Sequence, residues 1–265
     1  MTFNEKLKAA AEKNRSLLCV GLDVDPDLMA ERDVLRFCRA IVDATSDLVC
    51  AYKPNYSFFE SLGLDGLSAL MKVREYIPAH VPVIIDAKRG DLGNSSVFSA
   101  RALFDVFGFD AVTVNPYMGF DALEPYFAYR DRTSLVLCRT SNPSAEEFQS
   151  LKIGDRPLYE VVAERTKSWN EYGNIGLVVG ATYPGELERV RALCPDQVIL
   201  VPGVGPQGGD LEASVRAGVD AKGQNAIISA SRQVLYASKA EDYPDAARAT
   251  ALRLRNAINQ ARGIS

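Results

Sequence analysis

The chain is predicted to form a (β/α)8 TIM barrel, a single domain over residues 1–265, and three observations carry that expectation. Short apolar, β-branched runs alternate strictly with helix-patterned stretches along the whole chain. There are eight such runs, a count that favours a closed barrel over a doubly wound sheet. Several of them end in a charged residue at the C-terminal end of the strand, the face on which barrels of this kind carry their active sites.

Residues 1–15 read as an amphipathic helix ahead of the first strand, lacking the apolar core and cleavage site of a signal peptide. SLLCVGLD (16–23) is strand one and ends in Asp23. A helix over roughly 31–47 places Val34, Leu35, Cys38, Ile41, Val42 and Leu48 at three-to-four spacing. VCAYKPN (49–55) is strand two, with Lys53 at its end and Pro54 breaking it. A helix over 64–77 stops at Pro78. Strand three, 81–88, carries Val81, Val83, Ile84 and Ile85 and then breaks into Asp86, Lys88, Arg89 and Asp91. Strand alternation puts Ile84, Asp86 and Lys88 on one face.

A helix from about Asn94 to Phe107, capped by Gly108, leads to strand four in DAVTVNPY. Next come a helix at 121–129 and strand five at 134–139. The polar stretch 140–157, with two prolines and a glycine, is longer than most barrel connections and reads as a surface excursion or a loop over the site. A helix at 158–172 holds the only tryptophan, Trp169, and NIGLVVGAT is strand six, with Gly180 and Thr182 at its mouth. A helix from Pro184 to near Cys194 precedes QVILVPGVGPQGGD, which combines strand seven with a glycine-rich loop. A short helix through Ala217, strand eight in NAIISAS (225–231), Arg232 and a helix over about 244–261 complete the chain.

With 47% hydrophobic residues, 24% charged residues and no long uninterrupted apolar run, the composition is that of a soluble globular protein expected in the cytoplasm. Thirty basic against 34 acidic residues, a net charge of −4, recommends neither nucleic acid nor a membrane as partner. The five cysteines, Cys19, Cys38, Cys50, Cys138 and Cys194, are scattered and never form a C-x-x-C pair, so buried free thiols are expected rather than disulfides or a zinc site. The single histidine, His80, precedes strand three on the inactive side, which argues against a Ser-His-Asp triad.

Asp23, Lys53, Asp86 and Lys88 end strands one, two and three and should converge at the barrel mouth. A structural ion pair closing a strand is the plain alternative for Asp86 and Lys88. Across the ring, Gly203, Gly205, Gly208 and Gly209 after strand seven, with Ser231 and Arg232 after strand eight, suit a phosphate cradle. GVGPQG (203–208) matches G-x-G-x-x-G, but it follows strand seven and no acidic residue ends the next strand, which is wrong for a dinucleotide site. DVDPD (23–27) fails as a calcium loop because Leu28 and Val34 occupy the positions that need Gly and Glu.

DAKRGDLGNS (86–95) resembles the D-x-K-x-x-D-I-G-N-T signature of orotidine 5′-phosphate decarboxylases, with conservative departures at Leu92 and Ser95. The resemblance extends over nearly the whole chain, through the GLD end of strand one, the TSNP turn, PGVGPQGGD and the arginine after strand eight, and is similar to the longer bacterial branch of that family. It implies cofactor-independent decarboxylation of orotidine 5′-phosphate to uridine 5′-phosphate in pyrimidine biosynthesis, without a metal. By the same resemblance Asp86, Lys88 and Asp91 are the catalytic charges, and Asp23 and Lys53 hold the ribose and the charge network. Ser141 is implied to contact the pyrimidine, and Gln207 and Arg232 the phosphate. A homodimer with shared sites is also implied, Asp91 and Ser95 entering the partner's site.

Two other classes stay open on the residues alone. One is a sugar-phosphate decarboxylase or epimerase on a similar barrel, which usually calls for a metal. The other is a non-catalytic nucleotide-binding barrel that keeps the charges as an ion-pair network. A Schiff-base aldolase fits poorly, because flanking aspartates keep Lys88 protonated rather than nucleophilic.

Overall fold

A computed structural model describes residues 1–204 and 210–264. Gly205, Gln207, Gly208 and Gly209, assigned above to the phosphate end, lie outside the described residues. The main sheet has eight strands: β1 Leu18–Leu22, β2 Ala51–Pro54, β3 Ile84–Arg89, β4 Ala111–Val114, β5 Thr133–Arg139, β6 Ile175–Val179, β7 Ile199–Val201 and β8 Ala226–Ala230. They pair in parallel in the order β2-β1-β8-β7-β6-β5-β4-β3. The two edges, β2 and β3, meet through the parallel bridges Tyr52↔Val83 and Asn55↔Asp86, and Tyr52 N donates to Pro82 O at 3.1 Å. The sheet therefore closes as the expected barrel.

Two apolar layers follow from strand alternation. Residues pointing outward, among them Val20, Tyr52, Val83, Val112 and Val136, pack under the helices. Residues pointing inward, Cys19, Ala51, Ile84, Ala111, Leu135, Val178, Leu200 and Ile227, fill the barrel. Phe3 and Leu7 of the helix Phe3–Lys13 join this inner layer and close the floor. That helix begins with a capping box between Thr2 and Glu5. Phe3 N donates to Asp131 O, and Lys6 Nζ lies 2.9 Å from the Asp110 carboxylate, fixing the helix across the N-terminal ends of the strands.

Most elements fall within a few residues of their expected bounds. The helix expected over 94–107 is α-helical only over Gly93–Arg101 and continues as a π turn, Ala102–Val106, that carries Leu103 and Phe104 into the core. Gly108, at φ +70°, takes up the left-handed position after it. An unexpected short helix, Tyr56–Glu60, starts because the Asn55 side chain caps Ser57 N. The 140–157 stretch folds as a 3-10 turn, Pro143–Ala145, a helix, Glu146–Gln149, and a hairpin pairing Lys152–Ile153 with Arg156–Pro157. All five cysteines are free and buried, and exposed His80 sits 3.1 Å from Lys13 Nζ. No helix among the described residues is long and apolar enough to cross a membrane.

Candidate active site

The alternation that fills the barrel also builds the site. Two residues after each floor residue the next inward position is polar on four strands: Ala51 gives way to Lys53, Ile84 to Asp86, Ala111 to Thr113 and Ile227 to Ser229. Together with Asp23, Lys88, Ser141, Ser231 and Arg232 these side chains line a cleft of about 550 Å³ at the C-terminal mouth. Pro202, Gly203 and Val204 form part of its wall.

Asp86 is the centre of the charge cluster. Lys53 Nζ lies 3.1 Å from Oδ2, Lys88 Nζ 2.7 Å from Oδ1, and Thr113 Oγ1 donates to Oδ1 at 2.8 Å. Burial alone would raise the Asp86 pKa, but Lys53, Lys88 and the Thr113 hydroxyl overcome it and hold the carboxyl well below the usual range. Burial likewise works against a charged Lys53, whose side chain is 5% exposed. The carboxylates of Asp86 and Asp23 outweigh that cost and raise its pKa above the ordinary lysine value. The expected convergence of alternating charges is thus present.

The route that brings Lys88 there differs from simple alternation. Lys88 has φ +47°, a left-handed conformation uncommon outside glycine, and the β3–β4 register slips between Ile85 and Arg89. A bulge turns the chain so that Lys88 reaches back to Asp86, with half of its side chain exposed.

Around the rim, glycines make room for the polar residues. A Cβ on Gly180 would lie 2.9 Å from Ser141 Cβ, and one on Gly21 would lie 1.9 Å from Ser231 Oγ, so both serines sit where only a bare backbone lets them. Tyr236 fixes the end of β1: its hydroxyl donates to Asp23 O at 2.6 Å and accepts from Asp25 N at 2.8 Å. Asp23 Oδ1 is buried and makes no hydrogen bond within the described residues. Arg232 stands exposed on the rim at the start of a short helix, Arg232–Leu235.

Asp91 and Ser95 are not brought into this cleft. Both are exposed beyond β3, and Asp91 Oδ1 accepts from Leu92 N at 2.8 Å. Sequence reasoning missed Thr113, Asn55, Thr140, Asn142 and Gln149, all of which line the cleft. For Thr113 the signal was available, as a polar side chain two positions past Ala111 on the inward face. Gln149 reaches the rim only because the 140–157 excursion folds back, its side chain pairing with Thr140 N and Oγ1 at 2.8 Å each. No group of three or more His, Cys, Asp or Glu side chains suited to a metal ion occurs among the described residues.

A closed eight-stranded barrel with a lysine–aspartate–lysine chain at its C-terminal mouth has the build of a TIM-barrel enzyme, the class that carries its active sites on that face. The family profile for "Orotidine 5'-phosphate decarboxylase / HUMPS family" matches residues 16–247, and the chain belongs to that family. Among similar proteins, an orotidine 5′-phosphate decarboxylase of Roseiflexus sp. (strain RS-1) is 51% identical over 98% of each chain. One of Cupriavidus necator is 49% identical over 99% of each. The solved structure of Leishmania donovani OMP decarboxylase superposes with a TM-score of 0.90 at 42% identity, covering 99% of this chain and 100% of that one.

Proposed function

We propose that this chain decarboxylates orotidine 5′-phosphate to uridine 5′-phosphate, a step of pyrimidine biosynthesis, without a cofactor. The single observation that carries the mechanism is the lysine–aspartate–lysine chain centred on Asp86. Breaking the bond between C6 and the carboxylate leaves an electron pair on an sp² carbon with no adjacent carbonyl to accept it. A substrate carboxylate about 4 Å from Asp86, at an effective dielectric near 20, is raised by roughly 4 kcal/mol, about three decades in rate. Large enzymatic accelerations need about 8–23 kcal/mol, so repulsion is one contribution among several.

Lys88 supplies the next. Its ammonium faces the developing negative charge, then protonates C6 as carbon dioxide leaves, and its half-exposed side chain can be reprotonated from solvent. Lys53 is nearly buried and held charged, which suits a fixed countercharge for Asp86. Asp23 offers its unpartnered oxygen to a ribose hydroxyl, and Ser141 meets the pyrimidine. Ser231 and Arg232, with Gln207, hold the phosphate, whose binding energy supports the reaction at the far end of the substrate.

The working unit is a homodimer in which Asp91 and Ser95 complete the partner's site. In support, both lie off their own cleft, and their chain neighbours Leu92, Val97 and Phe98 are large apolar side chains left exposed, of the kind that subunit contacts cover. Five unpaired, buried thiols suit a reducing cytoplasm. The test is incubation with orotidine 5′-phosphate in excess chelator, following loss of the substrate's ultraviolet absorbance. Turnover is expected to be unaffected by the chelator. Activity that vanishes on chelation and returns with magnesium overturns the cofactor-free reading, and absence of turnover under all conditions overturns the decarboxylase reading in favour of a sugar-phosphate enzyme or a binding barrel.

A further inference from the structure

Where β3 and β4 run together, Ile85 pairs with Val112 and the next pair is Arg89 with Val114. Three residues of β3, Asp86, Ala87 and Lys88, therefore stand opposite one residue of β4, Thr113. The slip takes the amides of Ala87 and Lys88 out of register, and Thr113 Oγ1 accepts from both, at 3.0 and 2.9 Å. Thr113 is 1% exposed, so water does not compete for these bonds.

A hydroxyl has one proton and two acceptor sites. Amide N–H groups only donate, so both acceptor sites of Thr113 are committed to the bulge and its proton goes to Asp86 Oδ1, 2.8 Å away. The same Oδ1 receives Lys88 Nζ at 2.7 Å. One side chain thus holds the backbone of Lys88, the backbone of Ala87 and the carboxylate that Lys88 must meet. The left-handed conformation of Lys88, φ +47°, is disfavoured for a lysine and persists only where its surroundings fix it.

We propose that Thr113 is the positioning residue that sets the approach of Lys88 to Asp86, and through it the rate of carbanion formation and protonation; this rests on the decarboxylase reading above. Valine has the same shape without the hydroxyl, so Thr113→Val removes all three hydrogen bonds while filling the same space. Thr113→Ser keeps the hydroxyl and loses only a methyl group.

The experiment compares wild type, Thr113→Val and Thr113→Ser by steady-state kinetics on orotidine 5′-phosphate, by affinity for uridine 5′-phosphate and by crystal structure. Thr113→Val is expected to lower kcat by about 100-fold, the scale of a misplacement near 1 Å, with KM and product affinity changed less than about threefold. Thr113→Ser is expected to recover kcat to within about fivefold of wild type. In the crystal structure of Thr113→Val, Lys88 Nζ should move out of hydrogen-bond reach of Asp86, and in Thr113→Ser it should stay. If Thr113→Val does not fold, Thr113→Ala carries the same comparison. Wild-type kcat in the hydroxyl-free variant, or a serine variant as slow as it, overturns the proposal. A wild-type protein that does not turn the substrate over sinks the decarboxylase reading alone, and the Lys88–Asp86 distance in the variants then decides the positioning role.

Discussion

Lys53 and Lys88 grip opposite oxygens of Asp86 but differ tenfold in exposure, 5% for one side chain and 50% for the other. The buried lysine is a fixed charge and the open one can exchange its proton. Their replacement should therefore be unequal in kind. Lys88→Ala should lower kcat by at least about 10³-fold, combining lost proton transfer with lost anion stabilisation, while uridine 5′-phosphate still binds. Single-turnover kinetics and product titration check it, and a variant with slow binding but normal chemistry would contradict it.

Acid and alkaline stability should carry the mark of the same cluster. Asp86 has its pKa depressed by folding, so its contribution is complete above about pH 4 and is lost as pH falls through the folded value. Lys53 has its pKa raised, so its contribution is complete below about pH 10.4 and is lost as pH rises through the folded value. Asp86→Asn should flatten the acid slope and most of the alkaline one, because Asp86 is the foremost charge holding Lys53. Urea unfolding across pH measures both, and an acid slope equal to wild type in the variant would count against it.

Arg232 should act on a group far from the reacting carbon. Arg232→Ala should cost about 1.5–3 kcal/mol of charge-assisted binding, roughly 10- to 150-fold in kcat/KM on orotidine 5′-phosphate. The phosphate-free nucleoside should feel little of this. Equal losses on both substrates would place the arginine's role elsewhere.

Two inactive proteins should make an active one. If Asp91 serves the partner's site, Lys88→Ala and Asp91→Ala homodimers are each nearly inactive, but a mixed dimer has one site with both defects and one with neither. With random exchange about half the dimers are mixed, so activity should return to roughly a quarter of wild type. No recovery despite demonstrated subunit exchange would assign Asp91 to its own subunit.

The floor of the barrel should matter to stability rather than to chemistry. Phe3 is 1% exposed and packs against the inner layer, so Phe3→Ala should cost about 3–5 kcal/mol of unfolding free energy. The KM of the folded fraction should not change. A denaturant titration and a kinetic assay together check this.

Much of this architecture is legible in the sequence because strand periodicity and chain punctuation are local signals. Runs such as Val81–Ile85 announce buried strands, and a charge at the end of several of them marks the mouth. What hides is non-local. Alternation rightly paired Asp86 with Lys88, yet the cause is a bulge that depends on Thr113, a β-branched residue that on its own reads as an ordinary strand former. Gln149 joins the rim only through the folding of the 140–157 excursion, and Asp91 and Ser95 are recognisable only through resemblance, since their proposed partner is another copy of the chain.

The bridges between β2 and β3 are isolated ones, and the ion pair of Lys53 with Asp86 crosses that same gap. Two pressures of inheritance thus fall on one pair. A duplicated copy freed from catalysis would still be held to Lys53 and Asp86, because losing either loosens its barrel. Lys88 spans no such gap and leans half into solvent, so its ion pair with Asp86 adds little to the barrel, and the proposed chemistry is the stronger reason to keep it. In descendants of this chain, Lys88 is the residue whose loss would first record that the reaction had been abandoned.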